Sequence, residues 1–262
     1  MAETSSLVDF LKSEWFQNTA ILSSVLVVAY FGTGFLFLIP DLTGKPKWML
    51  KFKTQSPENY KVTVNDVGKV LRQLTINSLL IHLPFMFVYY YLQVWRGCDQ
   101  TLGLPALLPF IRDLSLCILL EEVTFYYSHR ILHSPFMYKR YHKLHHDFTA
   151  PFGLVSAYSH PVEFMFSNLG TIMTGPLVIG CDVVTSGVWL FLSVVVTVIH
   201  HSGYHLPLLP SPEFHDYHHL KFTGNYGVLG ILDWLHGTDK HFRKSKQSRR
   251  HKLIFSAREL IG

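Results

Sequence analysis

Long apolar runs set the pattern of this chain. Residues 20–40 (AILSSVLVVAYFGTGFLFLIP) carry no charged side chain, and a helix of that length reaches across a hydrocarbon core of about 30 Å. Residues 75–95 (TINSLLIHLPFMFVYYYLQVW) predict a second span with aromatic rings toward its far end, where the interface favours them. His82 and Pro84 interrupt it, and His82 reads as a packed or interfacial side chain. A third stretch, at about 105–127, holds Arg112, Asp113, Glu121 and Glu122, so it is expected to pack inside the bundle while returning to the side it came from. Residues 164–180 and 183–199, joined by Gly180, Cys181 and Asp182, predict a hairpin dipping into the membrane and back. The pattern is that of an all-α integral membrane protein with about four transmembrane helices in two hairpins, residues 1–262 forming a single membrane domain. The first 20 residues mix Glu3, Asp9 and Glu14 with Leu7, Phe10, Leu11, Trp15 and Phe16. That predicts an interfacial helix, not the basic start of a cleaved signal peptide.

Charge orients the spans. The loop after the first carries Lys45, Lys47, Lys51, Lys53, Lys61, Lys69 and Arg72, whereas residues 96–104 are nearly uncharged. The basic loop is therefore expected in the cytoplasm and the N-terminus in the lumen, with residues 240–262 a basic cytoplasmic tail. A mean hydropathy of +0.21 with 16% charged residues suits a lipid-solvated surface. The net charge of +5 flanks apolar stretches and forms no nucleic-acid stripe. Cys98, Cys117 and Cys181 lack the spacing of a zinc ribbon, redox pair or disulfide framework and read as unpaired.

The chemistry lies in the histidines. Of 16, ten fall into four clusters. His129 and His133, four apart, share one helical face and can reach one metal. His142, His145 and His146 have i, i+3, i+4 spacing, which aims three rings to one side and can bridge two metals. His201 and His205 end the last apolar run, and His215, His218 and His219 repeat the second spacing. One structural zinc takes about four ligands, so ten histidines imply two metals, on what is expected to be the cytoplasmic side. Imidazole suits iron, zinc, copper and nickel alike. Glu122, Asp147, Asp216 and Asp239 are candidates to orient ligating rings through their second nitrogen. His160 and Glu163 are candidates for the same task or for the substrate mouth. His200 points about 100° from His201 on a helix and falls outside the set, as do His236, His241 and His251.

The stretches HRILHSPFMYKRYHKLHHDFTAPFGLVSAYSHPVE and HDYHHLKFTGNYGVLGILDWLHGTD resemble the fatty acid hydroxylase and sterol desaturase superfamily, whose mark is HxxxH, HxxHH and HxxHH boxes, and look most like sterol C4-methyl oxidases. The resemblance spans about residues 105–240, the expected catalytic region. It implies a non-haem di-iron oxygenase of the endoplasmic reticulum using O2 under a cytoplasmic di-metal cap, with zinc able to occupy the sites in purified protein. The substrate implied is a 4-methylsterol, and the membrane setting itself leads us to expect a lipid to enter sideways from the cytoplasmic leaflet. A fatty acyl or sphingolipid chain is the alternative, and a non-catalytic metal-binding scaffold the reading of another class. No HPGG haem box occurs, so electrons from NAD(P)H are expected through a separate cytochrome b5 or its reductase. C4-methyl oxidases usually have Asp after HSGY, where this chain has His205.

Overall fold

The computed structural model describes residues 9–56 and 61–256. Residues 1–8 and 257–262, which carry part of the expected interfacial helix and basic tail, lie outside the described residues. The described chain is helical with no named strand and one isolated antiparallel bridge, Lys53 to Tyr204. Four helices are long and apolar enough to cross a membrane: Glu14–Thr43 (α1), Val64–Arg96 (α2), Pro161–Ile179 (α4) and Val183–His201 (α5). The expected spans are thus all present, extended at their ends by polar turns.

Local chemistry fixes where these helices begin and bend. Ser13 Oγ accepts from Phe16 N to cap α1, and Gly44 closes it at φ 67°. Thr63 and Asp66 form a reciprocal capping box at the start of α2. Inside α2, Ser78–His82 makes a π-helical turn just before Pro84, where the proline lacks an N–H to continue the ladder. Pro176 does the same in α4 and leaves the Ile172 carbonyl without its helical donor. Trp189 Nε1 of α5 donates to that oxygen at 2.7 Å, which locks the second hairpin.

The third apolar stretch forms Leu107–Leu132 (α3). Its polar side chains Asp113, Glu121 and Glu122 are buried, while Leu108, Leu116, Leu119 and Val123 are exposed. The buried acids fit the expected packing within the bundle, but the opposite face is apolar and exposed, so α3 also presents a side to lipid, which the sequence does not predict. It packs on α4, where a Cβ on Gly175 would lie 3.2 Å from the Cys117 Cα. The core of Leu22, Leu26, Met86, Met173, Trp189 and Leu190 joins α1, α2, α4 and α5. The segments after α3 and α5 fold into a cap over one end of this bundle. They include a π-helical turn, Tyr138–His142, and the short helices Glu213–Lys221 (α6), Ile231–His236 (α7) and Lys246–Arg250 (α8).

Candidate metal centre

Nine of the ten expected histidines converge in the cap as two groups. His129, His133, His142, His146 and His218 bring one ring nitrogen each within 4.8 Å of one another, and so do His145, His201, His215 and His219. Each HxxHH box divides in a complementary way: His142 and His146 join the first group and His145 the second, whereas His218 joins the first and His215 and His219 the second. In each box the i, i+4 pair serves one point and the middle ring the other, so the two groups interlock. All but His133 are buried.

Facing Nε2 atoms stand at 2.9 Å (His142–His133), 3.0 Å (His146–His142), 3.1 Å (His133–His218) and 3.2 Å (His218–His146) in the first group. In the second they stand at 2.9 Å (His215–His201) and 3.3 Å (His201–His145). With metal–nitrogen bonds near 2.1 Å, neighbouring ligands at a right angle lie about 3.0 Å apart, and at a tetrahedral angle about 3.4 Å. These separations match the edges of a coordination polyhedron.

The outward nitrogens show why hydrogen bonds among the rings do not account for this. His129 Nδ1 lies 2.8 Å from the Tyr226 carbonyl and His218 Nδ1 2.6 Å from that of Gly224. His145, His201 and His219 place Nδ1 on the carbonyls of Tyr158, Thr197 and Phe148 at 3.2, 2.8 and 3.2 Å. A neutral imidazole has one N–H. Where it is donated outward, the inward Nε2 is a bare lone pair, as at His145 and His201, whose Nε2 atoms face each other at 3.3 Å. Burial keeps the rings of the cap neutral: it pushes His145 down to about 4 and His142, His146, His215, His218 and His219 well below the usual imidazole range. A buried set of neutral nitrogen donors aimed at two points fits two borderline metal cations.

The carbonyls behind the first group come from a loop built for the purpose. Asp233 accepts from Tyr226 N and Gly227 N at 2.9 and 2.7 Å, and Glu122 from the amides of Val228, Leu229 and Leu232 at 2.9, 2.7 and 3.1 Å. Gly224 adopts φ 71°, and a Cβ there would lie 2.1 Å from the Thr238 carbonyl. No other residue fits without displacing the loop.

Both groups face an apolar cleft that runs into the bundle, with about 1090 Å³ of empty space counting its open mouth. His129, His142, His145 and His201 close its inner end, and Leu26, Phe31, Phe125, Phe164 and Ile172 are among its walls. Glu121 is buried on that wall, a feature the sequence shows only as an acid in an apolar helix.

Several expected roles fall elsewhere. His205 is not in either group: α5 ends at His201, Gly203 turns the chain at φ 68°, and His205 Nε2 donates to the Lys252 carbonyl at 2.9 Å. Of the acids, only Glu163 stands behind a ring, its Oε1 2.9 Å from His142 Nδ1 but off the N–H axis. Glu122 orients the loop amides and no imidazole. Asp147 pairs with Lys69 at 2.7 Å, Asp216 accepts from Gln55 at 2.9 Å and Asp239 from Arg243 at 2.6 Å. His160 accepts from Val162 N and caps the start of α4. Proximity in sequence is a poor guide here, because the ring-orienting partners are mostly backbone carbonyls. Asp233 carries no signal in the sequence for the same reason: it acts on amides, two steps from any ring. His200 lies outside both groups, as expected.

Comparison with known proteins adds an independent line. The family model described as fatty acid hydroxylase matches residues 114–238, a span that holds all nine converging histidines. Human fatty acid hydroxylase domain-containing protein 2 is 42% identical over 250 residues, covering 95% of this chain and 74% of that protein. Methylsterol monooxygenase 2-2 of Arabidopsis thaliana is 34% identical over 262 residues, covering 92% and 96%. Fatty acid hydroxylase ahd1 of Mycosarcoma maydis is 34% identical over 227 residues, covering 86% and 58%. No solved structure matches.

Proposed function

We propose, since the chain belongs to the fatty acid hydroxylase family, that it is a di-iron oxygenase of the endoplasmic reticulum membrane acting on the 4-methyl group of a sterol. One observation supports this above the rest: two groups of buried, neutral imidazoles close the inner end of an apolar cleft inside a membrane bundle. His129, His133, His142, His146 and His218 would hold one iron and His145, His201, His215 and His219 the other. Irons so bound supply the activation of dioxygen with electrons passed singly from NAD(P)H through cytochrome b5 or its reductase. The chain's own residues do the rest. The carbonyls of Tyr226, Gly224, Tyr158, Thr197 and Phe148 fix the tautomer and direction of His129, His218, His145, His201 and His219, and the cleft walls exclude water and hold the lipid against the cap. The basic loop and charged cap edge favour a cytoplasmic cap, where a soluble donor domain can reach it.

The sterol assignment draws on the Arabidopsis relative, named a methylsterol monooxygenase. The Mycosarcoma relative, named a fatty acid hydroxylase, favours a second reading in which an acyl chain is oxidised by the same centre. Cells lacking the protein are expected to accumulate 4-methylated sterols and to lose them again on re-expression of the wild type but not of His145→Ala or His218→Ala. Loss of hydroxylated acyl lipids with unchanged sterols would select the second reading, and rescue by either variant would leave only a scaffold.

A further inference from the structure

The cleft has its mouth in an unexpected place. Of the side chains on its wall only Val27, half exposed, and Ser78 face outward. Val27 sits 13 residues along α1 from Glu14 and 16 before Thr43, about 20 and 24 Å of helix from its ends. Ser78 sits 14 residues along α2 from Val64 and 18 before Arg96, about 21 and 27 Å from its ends. Both are therefore at mid-depth in their spans. Their neighbours Val28, Leu79 and Leu80 are 64%, 61% and 63% exposed, which is the surface of a helix in contact with acyl chains. Ser78 opens the π-helical turn of α2, and at the other end of that turn His82 Nε2 meets Ser23 Oγ of α1 at 3.2 Å, tying the two helices beside the gap. From the mouth the cleft rises along α3, where Glu121, Phe125 and His129 line it at successive turns over about 12 Å.

We propose that substrate enters this cleft from the hydrocarbon core of the bilayer, between Val27 of α1 and Ser78 of α2, and that the site is built for lipids without a charged headgroup. The proposal rests on the oxygenase reading and narrows its substrate class. A molecule arriving through this gap leaves its trailing part at mid-bilayer, where a phosphate or a coenzyme thioester carrier would be stripped of water and counter-ions at great cost. A sterol, whose polar part is a single hydroxyl, crosses that depth cheaply. The mouth also requires the reacting end to lead toward the cap.

The test uses the full chain in phosphatidylcholine vesicles with a sterol carrying a diazirine on its ring nucleus. Photolysis of wild type is expected to label the inner wall at Leu169–Ile172. In the double variant Val27→Trp/Ser78→Trp that labelling should fall about tenfold, and turnover of the sterol with it. Leu36→Trp, on the same helix and exposed to lipid but off the cleft wall, should change neither. A phosphatidylcholine with a diazirine at its acyl end should label the outer faces of α1 and α2 and spare the inner wall. Undiminished wall labelling in the double variant, no wall labelling in wild type, or phospholipid labelling as strong as that by sterol would overturn the proposal. Wall labelling that obeys the pattern in a protein that turns over no lipid would leave the mouth standing and sink the oxygenase reading instead.

Discussion

The two histidine groups are framed by different parts of the molecule. The group of five draws two of its outer acceptors, the Tyr226 and Gly224 carbonyls, from the loop that Glu122 and Asp233 pin over the end of α3. The group of four takes its outer acceptors from Tyr158 and Phe148 in the cap and from Thr197 within membrane helix α5. One group is therefore held by a loop that can be disturbed locally, the other by the packed bundle and the segment lying on it. The group of five also has a ligand to spare over a tetrahedral set, whereas the group of four has none.

The sharpest break of this contrast is to remove one ring from each. His145→Ala leaves three nitrogens in its group, and we expect metal content to fall from two ions per chain to one, with turnover reduced by more than about a hundredfold, beyond the 10–100-fold typical of outer partners. His133→Ala leaves four in the other group and should retain both ions with weaker affinity. Elemental analysis of the two purified variants decides it, and equal loss in both would show that five and four are not functionally distinct.

Next in size is the loop. Gly224→Ala forces a side chain into a left-handed backbone and against the Thr238 carbonyl, a strain of about 1–3 kcal/mol. The Gly224 carbonyl is then expected to leave His218, and metal to dissociate about tenfold faster from the group of five alone, the low end of outer-partner effects. Competition with a chelator, followed in time, should give two phases in the variant. A single unchanged phase would mean that the loop does not hold its ring.

Much of this was legible in the chain. An uncharged run such as 20–40 has one physical solution in lipid, and HxxHH spacing can only place its rings around a helical turn, so spans and clusters follow from residue type and period. The division of each box between the two histidine groups needs the relative rotation of four segments, which no single segment encodes. The outer acceptors are backbone carbonyls, which every residue has. Acids near the boxes therefore stand out in the sequence, whereas Tyr226 and Gly224 do not. The π-helical turns at Ser78–His82 and Tyr138–His142 leave an apolar pattern intact, and only their placement beside the cleft and the histidine groups gives them meaning.

Acid should expose the cost of packing so many neutral rings in both groups. His145 is pushed down to about 4 by burial, and the other cap rings also lie below the normal range. In the unfolded chain histidine takes its proton near 6.5. Below that pH the unfolded state binds more protons than the folded one, so stability is fully present above about 6.5 and is lost as pH falls toward the folded value of His145. The melting temperature of metal-free protein in detergent is expected to hold from pH 8 to about 7 and then decline down to about pH 4. A flat profile through this window would mean that the rings are not held neutral.

The smallest effect should come from His205, the ring that shares a motif with His201 but not its fate. Four-residue spacing places two side chains on one face only while the helix lasts. Here α5 ends at His201, and Gly203 takes a left-handed turn in which an added Cβ would lie 3.4 Å from the Pro151 carbonyl oxygen. His205 is thereby carried beyond the metal groups. Its backbone N donates to the Phe52 carbonyl at 2.8 Å and its Nε2 to the Lys252 carbonyl at 2.9 Å, while Glu213 Oε1 is 3.8 Å from Nδ1. The residue ties Lys252, after α8, to the segment before α2, the ring making the first bond and the backbone the second. His205→Gln keeps a donor of similar reach, so we expect two metals, turnover within about twofold of wild type, and a stability loss of about 1 kcal/mol for one imperfect hydrogen bond. His201→Gln, in contrast, should lose the metal of the group of four. Metal loss from His205→Gln as large as from His201→Gln would place a tenth ligand at the centre and undo the five-and-four division itself.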